Sequence, residues 1–149
     1  MEVAAMRTII LAAAALLLAG CESDGASFVV SGNTQALSVM RHKAYPGAAW
    51  ELALVVRNDP LCQRKHRMKD VNGNTRVDLY QPSPGAWILN QGKRWYVAEL
   101  KSCGFEQFKE EPQQPGDLVG TFLQRGGRFV FEPEAKVEGK AKAAPAAGG

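Results

Sequence analysis

The chain has 149 residues, with 18 Lys and Arg against 15 Asp and Glu, and a formal net charge of +3 at pH 7. That mild balance lacks the concentrated basic footprint of a nucleic-acid binder, and nucleic acid is not expected as a partner. Hydrophobic residues make up 46% of the chain, enough for one core, and the length fits a single domain with short flanking segments.

From Ile9 to Ala19 every residue is small or apolar and none is charged. A membrane-crossing helix needs roughly 20 such residues, so this run is too short to span and has the length of a signal-peptide h-region. Glu2 is acidic where an n-region is basic, and translation from Met6 would place Arg7 at the head of a cleaner signal. The run closes on Leu18-Ala19-Gly20-Cys21. This motif resembles the lipobox of bacterial lipoproteins. The resemblance implies a signal peptide over residues 1–20, cleavage before Cys21, diacylglycerol on the Cys21 sulfur and acylation of the new α-amine. It also implies that the membrane is a partner through the lipid anchor. Lipoproteins kept in the inner membrane usually carry Asp after the cysteine; Glu22 stands there instead, which by that resemblance implies the outer membrane. The domain is expected to face the periplasm, although Glu22 does not itself select a side.

Residues 21–26 read as a lipidated polar tether, reaching less than roughly 20 Å at about 3.3–3.6 Å per residue. Residues 27–134 read as a β-domain. Leu37 and Val39 begin a period of two, and Trp50, Leu52, Leu54 and Val56 continue it against Glu51, Ala53, Val55 and Arg57. Val77 with Leu79, Trp87 to Leu89 and Trp95 to Ala98 supply further strands, with turns at Asn72-Gly73, Pro84-Gly85 and Asn90-Gln91-Gly92-Lys93. Leu118 to Gln124 and Arg128 to Phe131 flank Gly126-Gly127, a tight-hairpin signature. Phe105 to Glu110 leave room for one short helix beside the strands. The sum is an all-β domain: a small antiparallel β-barrel or a two-layer β-sandwich of about eight short strands. Residues 135–149, poor in β-branched side chains and without aromatics, read as a disordered tail.

Cys62 and Cys103 remain beside Cys21. In the oxidising compartment that the lipobox implies, an even pair is expected to form a disulfide. The competing reading is a metal site from Cys62 and His66, spaced C-x3-H, with His42 and Cys103 nearby. Structural zinc sites usually show close ligand pairs at both ends, and Cys103 has no such neighbour, so neither metal nor cofactor is expected.

Arg64-Lys65-His66-Arg67-Met68-Lys69, with Arg57 upstream, concentrates positive charge. Such a cluster attracts phosphates and carboxylates, which makes Arg57, Arg64, Lys65, Arg67 and Lys69 candidate anion-binding residues. The competing account is a solvated strand edge, where basic side chains also block sheet aggregation. Asp70 to Asp78 suggests a calcium loop only superficially. Counted from Asp70, Gly73 falls at position four, Thr75 at six and Gln81 at twelve, where an EF-hand needs Gly at six and an acid at twelve. A turn explains Asn72-Gly73 better.

No G-x-S-x-G, H-E-x-x-H, P-loop or dinucleotide fingerprint occurs. His42 and His66 have no nucleophile beside them in sequence, and Glu106, Glu110 and Glu111 sit in a polar stretch. The expectation is a non-enzymatic, lipid-anchored binding or structural module, contacting an anionic envelope component or an envelope protein. The domain looks similar to small proteobacterial envelope lipoproteins with two cysteines and Trp-Tyr-rich strands. Lipid-anchored lysozyme inhibitors share the plan of lipobox, small β-domain and disulfide, and a cell-wall enzyme inhibitor is the alternative. Their Ser-Gly-x-x-Tyr element is missing, since Ser31-Gly32 runs on into Asn33, Thr34 and Gln35.

Overall fold

Ten antiparallel strands form two sheets in the computed structural model, which describes residues 21–135. The first sheet is a meander of β1 (Glu22–Ser31), β2 (Gln35–Lys43), β3 (Glu51–Asn58) and β4 (Cys62–Arg67), in that order. The second contains β5 (Arg76–Ser83), β6 (Ala86–Gln91), β7 (Arg94–Glu99), β8 (Gly104–Gln107), β9 (Asp117–Arg125) and β10 (Arg128–Pro133). Its order is β10-β9-β5-β6-β7-β8, so the 108–116 connection carries the chain back across the sheet to lay β9 beside β5. No hydrogen-bonded ladder joins the two sheets. The domain is a two-layer sandwich, not a closed barrel.

The core follows the alternation expected from sequence. Leu37, Val39, Leu52, Leu54 and Val56 of the first sheet face Val77, Leu79, Leu89 and Phe122 of the second, all fully buried. Each such side chain contributes about 1.5–3 kcal/mol on burial. The Gly126-Gly127 turn joins Arg125 to its partner Arg128, with both glycines at positive φ (52° and 79°) as a type I′ turn requires.

Three expectations change. There are ten strands rather than eight, because β1, β4 and β8 lie at sheet edges and show little apolar alternation. Phe105 to Glu110 form no helix. Gly104–Gln107 pair with β7 instead, and the Phe105 ring stacks between His66 and Tyr96, centroids 5.2 and 5.0 Å away. Residues 22–26, expected as a tether, pair one for one with β2, from Glu22↔Lys43 to Ala26↔Val39. Asp24 and Ala26 both have inward partners there, so Cys21 leads directly into a strand. The expected signal peptide (1–20) and the tail from residue 136 onward lie outside the described residues.

Among the described residues, only 68–75 pass from one sheet to the other. Trp50 and Val71 exchange backbone hydrogen bonds of 2.8 and 2.9 Å to hold that crossing. On the β4/β8 side the Cys62–Cys103 disulfide closes the seam with its Cα atoms 6.0 Å apart. Asn58 Nδ2 donates to the Leu100 carbonyl beside it at 3.0 Å. On the β1/β10 side Phe28 packs against Trp87 and Phe131, both at 5.1 Å. The disulfide spans a separation of 41 residues, for which chain entropy gives about 4 kcal/mol. Replacing both Cys62 and Cys103 with Ala is expected to lower the unfolding free energy by about that amount, read as an earlier urea midpoint with a steeper slope as the unlinked denatured chain expands.

Candidate functional site

Strand geometry divides the basic cluster, because successive side chains of β4 point to opposite faces. Cys62 and His66 turn inward, to the disulfide and to the Cys103 carbonyl (Nε2 to O, 2.7 Å). A carbonyl only accepts, so His66 carries its proton on Nε2. Arg64 lies between these two, opposite Val56, but at the open edge, where it stays exposed. Lys65 and Arg67 point outward, opposite Val55 and Ala53, and Lys69 lies beyond the strand. Arg67 pairs with Asp70 at 3.2 Å, and Arg57 faces Asp59 at 3.6 Å, too long for a hydrogen bond. Arg64, Lys65 and Lys69 have no acidic partner among the described residues. The five candidate residues therefore do not converge on one anion.

Lys65 and Arg67 do line an open depression of about 480 Å³ on the outer face of the first sheet, with Ser23, Met40, His42 and Glu51. The register places Ser23 and Glu51 on either side of His42. Ser23 Oγ lies 2.8 Å from His42 Nδ1, a nucleophile–base contact between residues 19 apart, invisible in the linear sequence. Nucleophilic catalysis also needs the base oriented by a third group. Among the described residues no carboxylate is hydrogen-bonded to His42, and the contact is read as a cross-strand polar pair.

Arg41 is the side chain that sequence reading missed. Leu37, Val39 and Arg41 share one phase of β2, so the arginine points into the core with its side chain 0% exposed. Its Nε and Nη2 donate to the two oxygens of Asp24, the latter at 2.8 Å, and Nη1 donates to Gln124 Oε1 at 3.1 Å. The guanidinium lies between the Trp50 and Phe129 rings, 4.0 and 4.7 Å from their centroids. Bidentate pairing and ring contacts on both faces satisfy a cation taken out of water. The available signal was a charge at an apolar phase of a strand.

Tyr96 ties the other sheet to the crossing segment. Its hydroxyl donates to Gln91 Oε1 at 3.1 Å and accepts from the Lys69 N–H at 3.4 Å, while Gln91 Nε2 donates to the Lys69 carbonyl at 2.6 Å. The Lys69 backbone is thereby fixed. Comparisons of the chain with family models, with curated proteins and with solved structures returned no match.

Removing one partner of a buried ion pair strands the other charge. Asp24 keeps 29% of its side-chain exposure, so Arg41→Met is expected to cost about 3 kcal/mol, at the lower end for such pairs. Adding Asp24→Leu should recover most of that loss in the same urea measurement. Burial raises the phenol pKa values of Tyr96 and of Tyr80, the latter also through Asp78 and Glu111. A raised folded-state value stabilises the fold fully below the unfolded value of about 10, and that stability is lost as pH rises through the folded value. Absorbance titration at 295 nm should show late phases that Tyr80→Phe and Tyr96→Phe each remove.

Proposed function

We propose that this chain is an exported lipoprotein whose β-sandwich is a non-enzymatic binding module on the periplasmic face of the outer membrane. Residues 1–20 are its signal peptide, and Cys21 carries the anchor. One observation supports the reading beyond the motif itself. Cys21 is a free, exposed cysteine, whereas Cys62 and Cys103 are consumed by their disulfide. It stands one residue before β1, so an acyl group there meets no steric obstacle from the core. Three acyl chains at about 0.8 kcal/mol per buried methylene give anchoring that does not reverse on a cellular timescale.

The module engages an anionic envelope component through exposed basic side chains. Lys65 and Lys69 are the members of the 64–69 cluster best suited to this, being outward-facing and without an acidic partner. Arg57 and Arg67 share their charge with Asp59 and Asp70. Cys21→Ala is expected to abolish incorporation of labelled palmitate and to leave the protein at its unprocessed size. Palmitate uptake by that variant would refute the reading.

A further inference from the structure

The antiparallel register gathers ten strand ends at one pole of the sandwich. The start of β1 lies beside the end of β2 (Glu22↔Lys43), and the end of β4 leads straight into the crossing to β5. In the second sheet the start of β5 adjoins the end of β9, and the turns Gly92-Lys93 and Gly126-Gly127 lie at the same level. Arg41 to Gln124 and Lys69 to Gln91 bind the two sheets together there. Cys21 therefore shares its pole with Lys43, Lys69, Lys93, Arg94 and Arg128, which come from separate segments of the chain. Among the described residues none of these five cations has an acidic ion-pair partner. Arg67, Arg76 and Arg125 at this pole are matched by Asp70, Asp78 and Glu132.

The opposite pole has the other sign. Asp59, Glu99, Asp117 and Glu134 stand there, against Arg57 and Lys101. The ten-residue β1 runs from one pole to the other, about 33 Å at 3.3–3.4 Å per residue. That distance is about four Debye lengths at physiological ionic strength. A surface at the Cys21 pole feels these five cations, offset locally by Glu22 and Glu51 and not by the distant acids.

We infer that the Cys21 pole is a membrane-apposed face whose ligand is the headgroup of anionic phospholipid, contacted by Lys69, Lys93, Arg94 and Arg128. The inference rests on the lipoprotein reading for its cellular setting, and it names the anionic component. Three observations converge on it. The anchor residue and the unpaired cations share one pole, and no tether separates Cys21 from β1, so an anchored domain stands on this end. A polar depression of about 420 Å³ opens there, where Lys69, Arg76 and Arg94 stand against Asp70 and Asp78; Asp78 is already paired with Arg76, which among the described residues leaves Lys69 and Arg94 as its free cations. Tyr45, in the 44–49 loop after β2, is 64% exposed at the same pole, the amphipathic ring that suits a headgroup layer.

The test uses the chain from residue 21 with Cys21→Ser, whose described residues contain the whole core and both sheets. Without a lipid of its own, it should co-sediment with phosphatidylcholine vesicles containing phosphatidylglycerol and not with phosphatidylcholine alone. Each cation near an anionic surface is worth about fivefold in partitioning. The variant Lys69→Gln/Lys93→Gln/Arg94→Gln/Arg128→Gln should therefore bind at least about a hundredfold more weakly. Lys101→Gln, at the opposite pole, should bind as the parent does. All the substituted side chains are exposed, and an unchanged urea midpoint confirms that each variant is folded. Equal binding to both vesicle types, or an equal loss in both variants, overturns the inference. So does binding to purified sacculi that the four-residue variant retains while vesicles are ignored. Palmitate on Cys21 without any of this vesicle preference leaves the anchor standing and removes only the membrane-apposed face.

Discussion

Among the described residues a single stretch of backbone, residues 68–75, joins the two sheets, so what else keeps them face to face is made chiefly by side chains. The interior supplies the largest part through Leu37, Leu54, Val56, Leu79, Leu89 and Phe122. An apolar interface is non-directional, however, and leaves two open seams where no ladder hydrogen bonds run. Each seam has its own closure. The β4/β8 seam has a covalent bond, the Asn58 amide on the Leu100 carbonyl and the His66 ring on Phe105. The β1/β10 seam has a chain of aromatic rings, Trp87 to Phe28 to Phe131 to Phe122, with neighbouring centroids 4.8–5.1 Å apart.

The same constraint explains the character of the edge strands. A sandwich with two seams has four edges, and an unprotected edge recruits further strands. β4 answers with Gln63, Arg64, Lys65 and Arg67, and β1 with its polar first half. The basic run that stands out in the sequence thus has a structural role on the edge whatever it also binds. Its two inward residues, Cys62 and His66, are the ones that close the seam. A close packing requirement adds to this at β9. A Cβ on Gly120 would lie 2.4 Å from the Phe131 ring and 2.5 Å from the Glu132 carbonyl oxygen, so the β9–β10 approach depends on that glycine.

Central strands were legible in the sequence because burial on one face forces the period of two, as in Trp50 to Val56. Edge strands were not, since half of their surroundings is water and polar residues serve there. Phe105 shows the limit from the other side: its helical expectation was local, and its strand conformation is imposed by ring contacts with His66 and Tyr96, residues 39 and 9 positions away. The disulfide was readable from cysteine number. The convergence of Lys43, Lys69, Lys93, Arg94 and Arg128 was not, because single cations in separate turns carry no local signal until the register aligns them.

Arg41 connects these levels. Asp24 lies three residues from Cys21, near the end of an edge strand, where fraying is ordinarily easiest. Its carboxylate is held by a guanidinium that is itself buried, sandwiched between Trp50 and Phe129 and bonded to Gln124 of the other sheet. Peeling β1 from this end would expose an unpaired cation in the core, a cost of several kcal/mol that a leucine at the same place would not impose. The pair is therefore poorly explained by net stability alone, since well-packed apolar residues serve as well or better. It makes sense as a latch. In the proposed anchored state, the forces between lipid and domain pass through Cys21 into the first residues of β1, and Asp24–Arg41–Gln124 carries them into both sheets at once.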